Sequence, residues 1–177
     1  MSDNMKAQFQ LDTEHMREAR QVSPDRPSFD SVPYVELRNT LPSDVDVISP
    51  FVDQLIRFIS RYREADGDNF EIGLALGEAL VNAIVHGNQE DPRKRVYVKC
   101  RCTTAGDVSI TIEDEGNGFE HDTVPDPTSP GNRLRTCGRG IYLARTLMDE
   151  VDFEQGGSVL RMRKRANADS DTTRKPQ

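Results

Sequence analysis

The stretch GEALVNAIVHGN, residues 77–88, has the apolar periodicity of a core helix, yet Glu78, Asn82 and His86 recur along it every four residues. That spacing stacks them on one narrow face, and Glu71, seven residues before Glu78, extends the same line. Two readings follow. The line faces a polar ligand, or it is a set of satisfied side chains on a partly exposed stripe.

Two segments downstream bear on the choice. In DEGNGF, residues 114–119, a strand ends at Asp114, with Gly116 and Gly118 alternating behind it. Glycines let the backbone turn sharply and approach a ligand closely. An aspartate at a strand end can accept from the amino edge of a base, although a plain turn would read the same way. In GRGIYLAR, residues 138–145, Gly138 and Gly140 open a helix whose free N–H groups and dipole favour an anion such as phosphate. This segment lacks the Lys-Ser/Thr ending of a P-loop, and no strand and ribose-binding acid are spaced as in a dinucleotide fold.

Periodicity identifies the elements that must position these residues. YVELRNTL, residues 34–41, alternates Val35, Leu37, Asn39 and Leu41 as a first strand. After a PSDVD turn and a Ser49-Pro50 start signal, Phe51, Val52, Leu55, Phe58, Ile59 and Tyr62 mark one face of an amphipathic helix. EADGDN breaks it. The helix carrying Glu78 is predicted from about Phe70 to His86, ended by Gly87 and Asn88. RVYVKCRC and DVSITIED form a hairpin turned by TTAGD. Cys100 and Cys102 then share an inner face with Val96 and Val98; a metal site with Cys137 is rejected, because C-x-C lacks a second close pair. Residues 113–139 have no sustained period and hold three prolines and four glycines, which marks a functional loop or a missed element. GIYLARTLMDE is a third helix, and a last hairpin turns on Gly156-Gly157. With a two-residue turn, Val151 faces Met162, Phe153 faces Leu160, Asp152 opposes Arg161 and Glu150 opposes Arg163. The sum is an α+β protein: a two-layer α/β sandwich with a mixed, mostly antiparallel sheet and three helices on one face.

Composition sets the frame. The 177 residues carry a net charge of −7, with 35% hydrophobic and 30% charged residues. Residues 33–165 are enough for one domain. The polar extensions 1–32 and 166–177 are expected to be disordered, apart from a weak helix at FQLDTEHMREAR. The acidic balance argues against direct nucleic-acid binding, and RKR at 93–95 and RMRKR at 161–165 read as solvated strand ends. No apolar run approaches transmembrane length, no signal-peptide pattern opens the chain, and three cysteines do not complete a disulfide framework. A soluble, cytoplasmic protein with no membrane partner is expected.

Order and spacing join the three segments. E-x-x-x-N on a helix, D-x-G-x-G after a strand, and G-x-G opening a helix beyond a long loop together resemble the GHKL ATP-binding superfamily. Its fold is the Bergerat sandwich, and it includes gyrase-type topoisomerases, heat-shock chaperones and histidine kinases. The resemblance covers roughly residues 34–165, and GEALVNAIVHGN with GRGIYLARTLMDEVDFEQGGS looks most like the bacterial anti-sigma-factor serine/threonine kinases. It implies ATP and Mg2+ as cofactors. By this resemblance Asn82 would lend its amide oxygen to Mg2+, and Glu78 would accept the proton of the attacking hydroxyl. Asp114 would bind the adenine amino group, with Gly116 and Gly118 making room for the ring. Gly138, Arg139 and Gly140 would meet the phosphates. Residues 120–137 would be the lid, in which Arg133 and Arg135 are candidate phosphate contacts by charge alone. Ser158 stands where the family often has threonine near the adenine pocket. His86 has no clear family role and reads as a helix-end cap.

The function implied is a serine protein kinase that binds a sigma factor, phosphorylates a small anti-anti-sigma antagonist protein on serine, or does both. A homodimer is compatible with the resemblance. Two alternatives stay open: a module that senses ATP without transferring phosphate, and a detached histidine-kinase catalytic domain. Against the second, no helical dimerisation segment with a phospho-acceptor histidine precedes the fold, and His15 sits in a short, weak helix. Against the first, Glu78 and Asn82 occur together, and a pure sensor has no need of a base.

Overall fold

Alternation along the strands builds an inner face of aliphatic rows. The computed structural model describes residues 12–13, 29, 32–63, 66–116, 118 and 139–166. Its strands are β1 (Asp12–Thr13), β2 (Tyr34–Pro42), β3 (Arg95–Thr103), β4 (Val108–Asp114), β5 (Glu150–Glu154) and β6 (Val159–Lys164). They lie in the order β1-β2-β3-β4-β6-β5, and each of the five described pairings is antiparallel. One row runs Leu37, Cys100, Ile110, Met162, Val151, and the next runs Asn39, Val98, Ile112, Leu160, Phe153. Cys100 and Cys102 are free thiols in this core, as expected.

Three helices cover that face. A 3₁₀ turn at Val45–Val47, capped by the Asp44 carboxylate accepting from Asp46 N at 2.9 Å, leads into α1 (Ile48–Ile59). Phe51, Leu55, Phe58 and Ile59 are buried, whereas Tyr62 lies beyond the helix and is 36% exposed, with its ring against Phe58. The central helix α2 (Asp66–Val81) starts four residues before the expected Phe70, because its first turn is polar and adds nothing to the apolar period. It continues as a π-helical turn, Asn82–Gly87. The 20 residues Asp68–Gly87 are long and apolar enough to cross a membrane on length and composition, contrary to the reading of the sequence. Here Ile72, Leu76, Leu80 and Ile84 are fully buried against the sheet layer and α1, so the stretch serves as the core helix. The third helix, α3 (Arg139–Leu147), is shorter than GIYLARTLMDE, with Met148 closing it and Glu150 already in β5.

The last hairpin has the expected register in every pair. Its turn, however, is four residues, not two. Gln155–Gly157 forms a 3₁₀ turn in which Gln155, Gly156 and Gly157 have φ of 52°, 66° and 95°. Both turns share the centre between Gly156 and Gly157, which is why the register survives. The basic run of β6 is used within the sheet: Arg161 pairs with Glu154 at 3.2 Å, Arg163 with Glu150 at 3.1 Å, and Arg165 with Glu150.

Two connections hold the layers. Arg63, 4% exposed, donates to Gly106 O at 2.8 Å and Arg165 O at 2.7 Å and pairs with Asp68. It therefore ties the α1–α2 link to the β3–β4 turn and the end of β6. At the amino end, Asp12 and Thr13 pair with Arg38 and Leu37, so they are extended where a weak helix was read. Ala166 donates to Asp107 Oδ1 at 2.8 Å; residues 167–177 and the rest of 1–32, save Phe29 and Val32, lie outside the described residues.

Candidate functional site

The sheet register decides where Asp114 points. Val108, Ile110 and Ile112 face the helices, and two further residues bring Asp114 to the same inner face, opposite Val96. Its N–H donates to Ser158 O at 3.0 Å, and its Oδ1 accepts from Gly116 N at 2.8 Å. Burial pushes its carboxyl above the ordinary aspartate range, while the Gly116 N–H pulls the other way.

The end of the central helix is shaped to receive this carboxylate. A Cβ on Gly87 would lie 2.5–2.6 Å from the Asp114 carboxyl atoms, and one on Gly116 would run into the Gly87 carbonyl. Gly118, at φ 72°, lies against the Gly156 backbone. The two glycines expected to make room for a ring make room here for protein backbone. The π turn is closed by Asn88 N donating to Ala83 O at 2.8 Å, while His86 sits exposed in that last turn. Such wide turns are rare and gather at functional sites.

The polar line of the central helix has two separate fates. Glu71 accepts from Lys164 Nζ at 2.7 Å, and the same ammonium donates to Leu147 O at 2.7 Å, so this end of the line is structural. Glu78 and Asn82 meet the start of α3 instead. A Cβ on Gly140 would stand 2.7 Å from Glu78 Oε2 and 3.3 Å from Asn82 Nδ2. With no side chain, Gly140 lets the first turn of α3 lie directly across that carboxylate and that amide.

Beside them opens a small cleft. Ala79, Asn82 and Ala83 form one side, and Ile112, Asp114 and Leu160 the sheet side. Phe153, Gly157 and Ser158 complete it from the last hairpin. Apolar walls around one half-buried carboxylate have the chemistry that suits a flat base with an amino edge. Among the described residues no group of three His, Cys, Asp or Glu gathers as a metal cage. A single amide such as Asn82 fits Mg2+, which takes its other ligands from phosphate oxygens and water.

Of the residues singled out in the sequence, Asn82, Asp114 and Ser158 line this cleft, and Glu78 and Gly140 adjoin Asn82. Ser158 Oγ donates to Gln155 O at 3.1 Å, so its hydroxyl serves the turn while its carbonyl holds Asp114. Arg133, Arg135, Gly138 and the Arg139 side chain, like the whole 120–137 segment read as a lid, lie outside the described residues. Sequence reasoning missed Phe153 and Leu160 as walls, and Gly87 and Asn88 as supports. Continuing the alternation of the last hairpin inward would have found the first two.

Residues 41–164 match the histidine kinase-like ATPase domain. The chain belongs to this family. As a histidine kinase-like ATPase domain, it joins the GHKL group whose motifs it resembles. It is 34% identical over 95 residues to an anti-sigma F factor of Heyndrickxia coagulans, covering 50% of this chain and 64% of that one. It is 31% identical over 108 residues to the anti-sigma F factor of Oceanobacillus iheyensis, covering 58% and 73%. It is also 27% identical over 136 residues to the serine-protein kinase RsbW of Staphylococcus epidermidis, covering 73% and 84%.

Proposed function

We propose that this domain is an ATP- and Mg2+-dependent serine protein kinase of the anti-sigma type, acting in the cytoplasm. It binds a sigma factor, phosphorylates a small antagonist protein on serine, or does both. The observation that carries the reading is the close seat of Gly140 against Glu78 and Asn82. Phosphates held at the α3 N-terminus would there meet a carboxylate and an amide together. The names of the relatives, anti-sigma F factor and serine-protein kinase, support it.

ATP, when bound, supplies the phosphoryl group. Asp114 accepts from the adenine amino group, and Gly116 and Gly118 keep the turn close to the ring. Asn82 lends its amide oxygen to Mg2+. Gly138, Arg139 and Gly140 meet the phosphates, joined by Arg133 and Arg135 by charge. Glu78 takes the proton of the serine hydroxyl as it attacks, and that role separates a kinase from an ATP sensor.

The test is transfer of the labelled γ-phosphate of ATP to purified serine-bearing antagonist proteins encoded beside this chain's gene. Wild type transfers, and Glu78→Gln, which keeps shape and hydrogen bonding, loses about 10²–10⁴-fold in rate. A Glu78→Gln variant as fast as wild type would remove Glu78 as the base. A wild type that transfers to none of them, yet holds a sigma factor only with ATP present, would replace the kinase with a sensor.

A further inference from the structure

Asn88 follows the π turn and is completely buried, although it is a polar residue at a helix end. Each of its polar groups is used. Its backbone N–H closes the π turn on Ala83 O at 2.8 Å, its Nδ2 donates to Arg95 O at 3.0 Å, and its Oδ1 accepts from Glu115 N at 2.9 Å. One side chain therefore joins the end of the central helix to the first residue of β3 and to the residue just after Asp114. Glu115 adds a second tie, its carboxylate accepting from Arg95 N and from the Tyr97 hydroxyl, each at 2.8 Å.

We propose that Asn88 is the positioning residue that aims Asp114 at the exocyclic amino group of the nucleotide base, and so sets the preference for adenine. This rests on the nucleotide reading of the site given above. Asp114 is fixed on one side through its own N–H to Ser158 O, and Asn88 fixes the next N–H along the chain. Between these two points its carboxylate lies against Gly87, the residue before Asn88. Helix end and strand end approach so closely here that neither can move without the other. Without the Asn88 amide, the Glu115 N–H and the Arg95 carbonyl lose their buried partner, and the end of β4 is free to draw away from Gly87. The carboxylate would then keep its charge and lose its aim. A site built to hydrogen-bond one group rejects analogues lacking that group only while the geometry holds.

The experiment compares the affinities of the full chain for Mg2+-ATP and for Mg2+-ITP, whose base bears an oxygen in place of the amino group. Wild type prefers ATP. Asn88→Ala narrows the ATP/ITP ratio by about tenfold, the scale of one lost buried hydrogen bond, and lowers the melting temperature. If Asn88→Ala does not fold, Asn88→Ser, with a shorter polar side chain, is read in the same way. A lower melting temperature with an unchanged ATP/ITP ratio would make Asn88 merely structural and overturn the proposal. Asp114→Ala separates the two layers of inference. If it abolishes the preference while the Asn88 variants keep it, only the role of Asn88 is wrong; if Asp114→Ala changes neither affinity nor ratio, the nucleotide reading itself is wrong.

Discussion

A carboxylate held in a partly apolar cleft costs the free protein stability, and Asp114 is such a group. Burial raises its folded pKa above the unfolded value, so the folded state binds this proton more tightly. Its favourable contribution is present below the ordinary aspartate pKa of about 3.9 and is lost as pH rises through the folded pKa. At neutral pH the ionised side chain is therefore a burden. Asp114→Asn keeps the bond to Gly116 and removes the charge, so it should melt above wild type at neutral pH while binding ATP more weakly. That advantage should vanish below about pH 4 in a series of thermal melts; an advantage that grew on acidification would have the wrong sign. Asp114 was legible in the sequence because a strand ends into it. Gly87 and Asn88 were not, because what they serve, the Asp114 carboxylate and the Glu115 N–H, lies 27 residues along the chain. A local reading assigned them only to the end of a helix.

Element by element, alternation and amphipathic period carried most of the fold into view. Strands β2 to β6, α1 and the register of the last hairpin followed from them, because burial of one face leaves little choice. The π turn at Asn82–Gly87 has no such signature. It lies against the end of β4, a contact that no period along the helix reports. The closure of α3 over the central helix was legible only as G-x-G, and its reason appears once Gly140 is seen against Glu78. In Gly140→Ala a methyl would lie 2.7 Å from Glu78 Oε2, the far end of a flexible side chain, so the carboxylate must turn aside. Because that end can swing away, the loss read in urea unfolding should fall below the value of about 1–3 kcal/mol typical of an overpacked core. Phosphoryl transfer should fall at least about tenfold as the base is displaced. A variant with the wild-type transfer rate would place the helix start elsewhere.

Across the whole molecule, one buried cation and one ligand should dominate the response to perturbation. Arg63 follows a helix, yet it is buried and binds the carbonyls of Gly106 and Arg165 and the Asp68 carboxylate. Arg63→Met leaves those groups without their partner, and we expect a loss of about 3 kcal/mol in denaturant unfolding; a change within ±0.5 kcal/mol, usual for a surface site, would contradict the clamp. Nucleotide acts in the opposite direction, since a ligand at 100 times its Kd stabilises by about 2.7 kcal/mol. In the function proposed, three short motifs dispersed over residues 78–140 assemble one ATP site around Asp114 and Asn82. Calorimetric titration with Mg2+-ATP tests it most directly, on wild type and on Asp114→Ala checked for folding by circular dichroism. Saturable binding of one nucleotide per chain is expected, weakened by about tenfold or more in the variant. Equal affinity in the two proteins, or no binding by wild type, would contradict it.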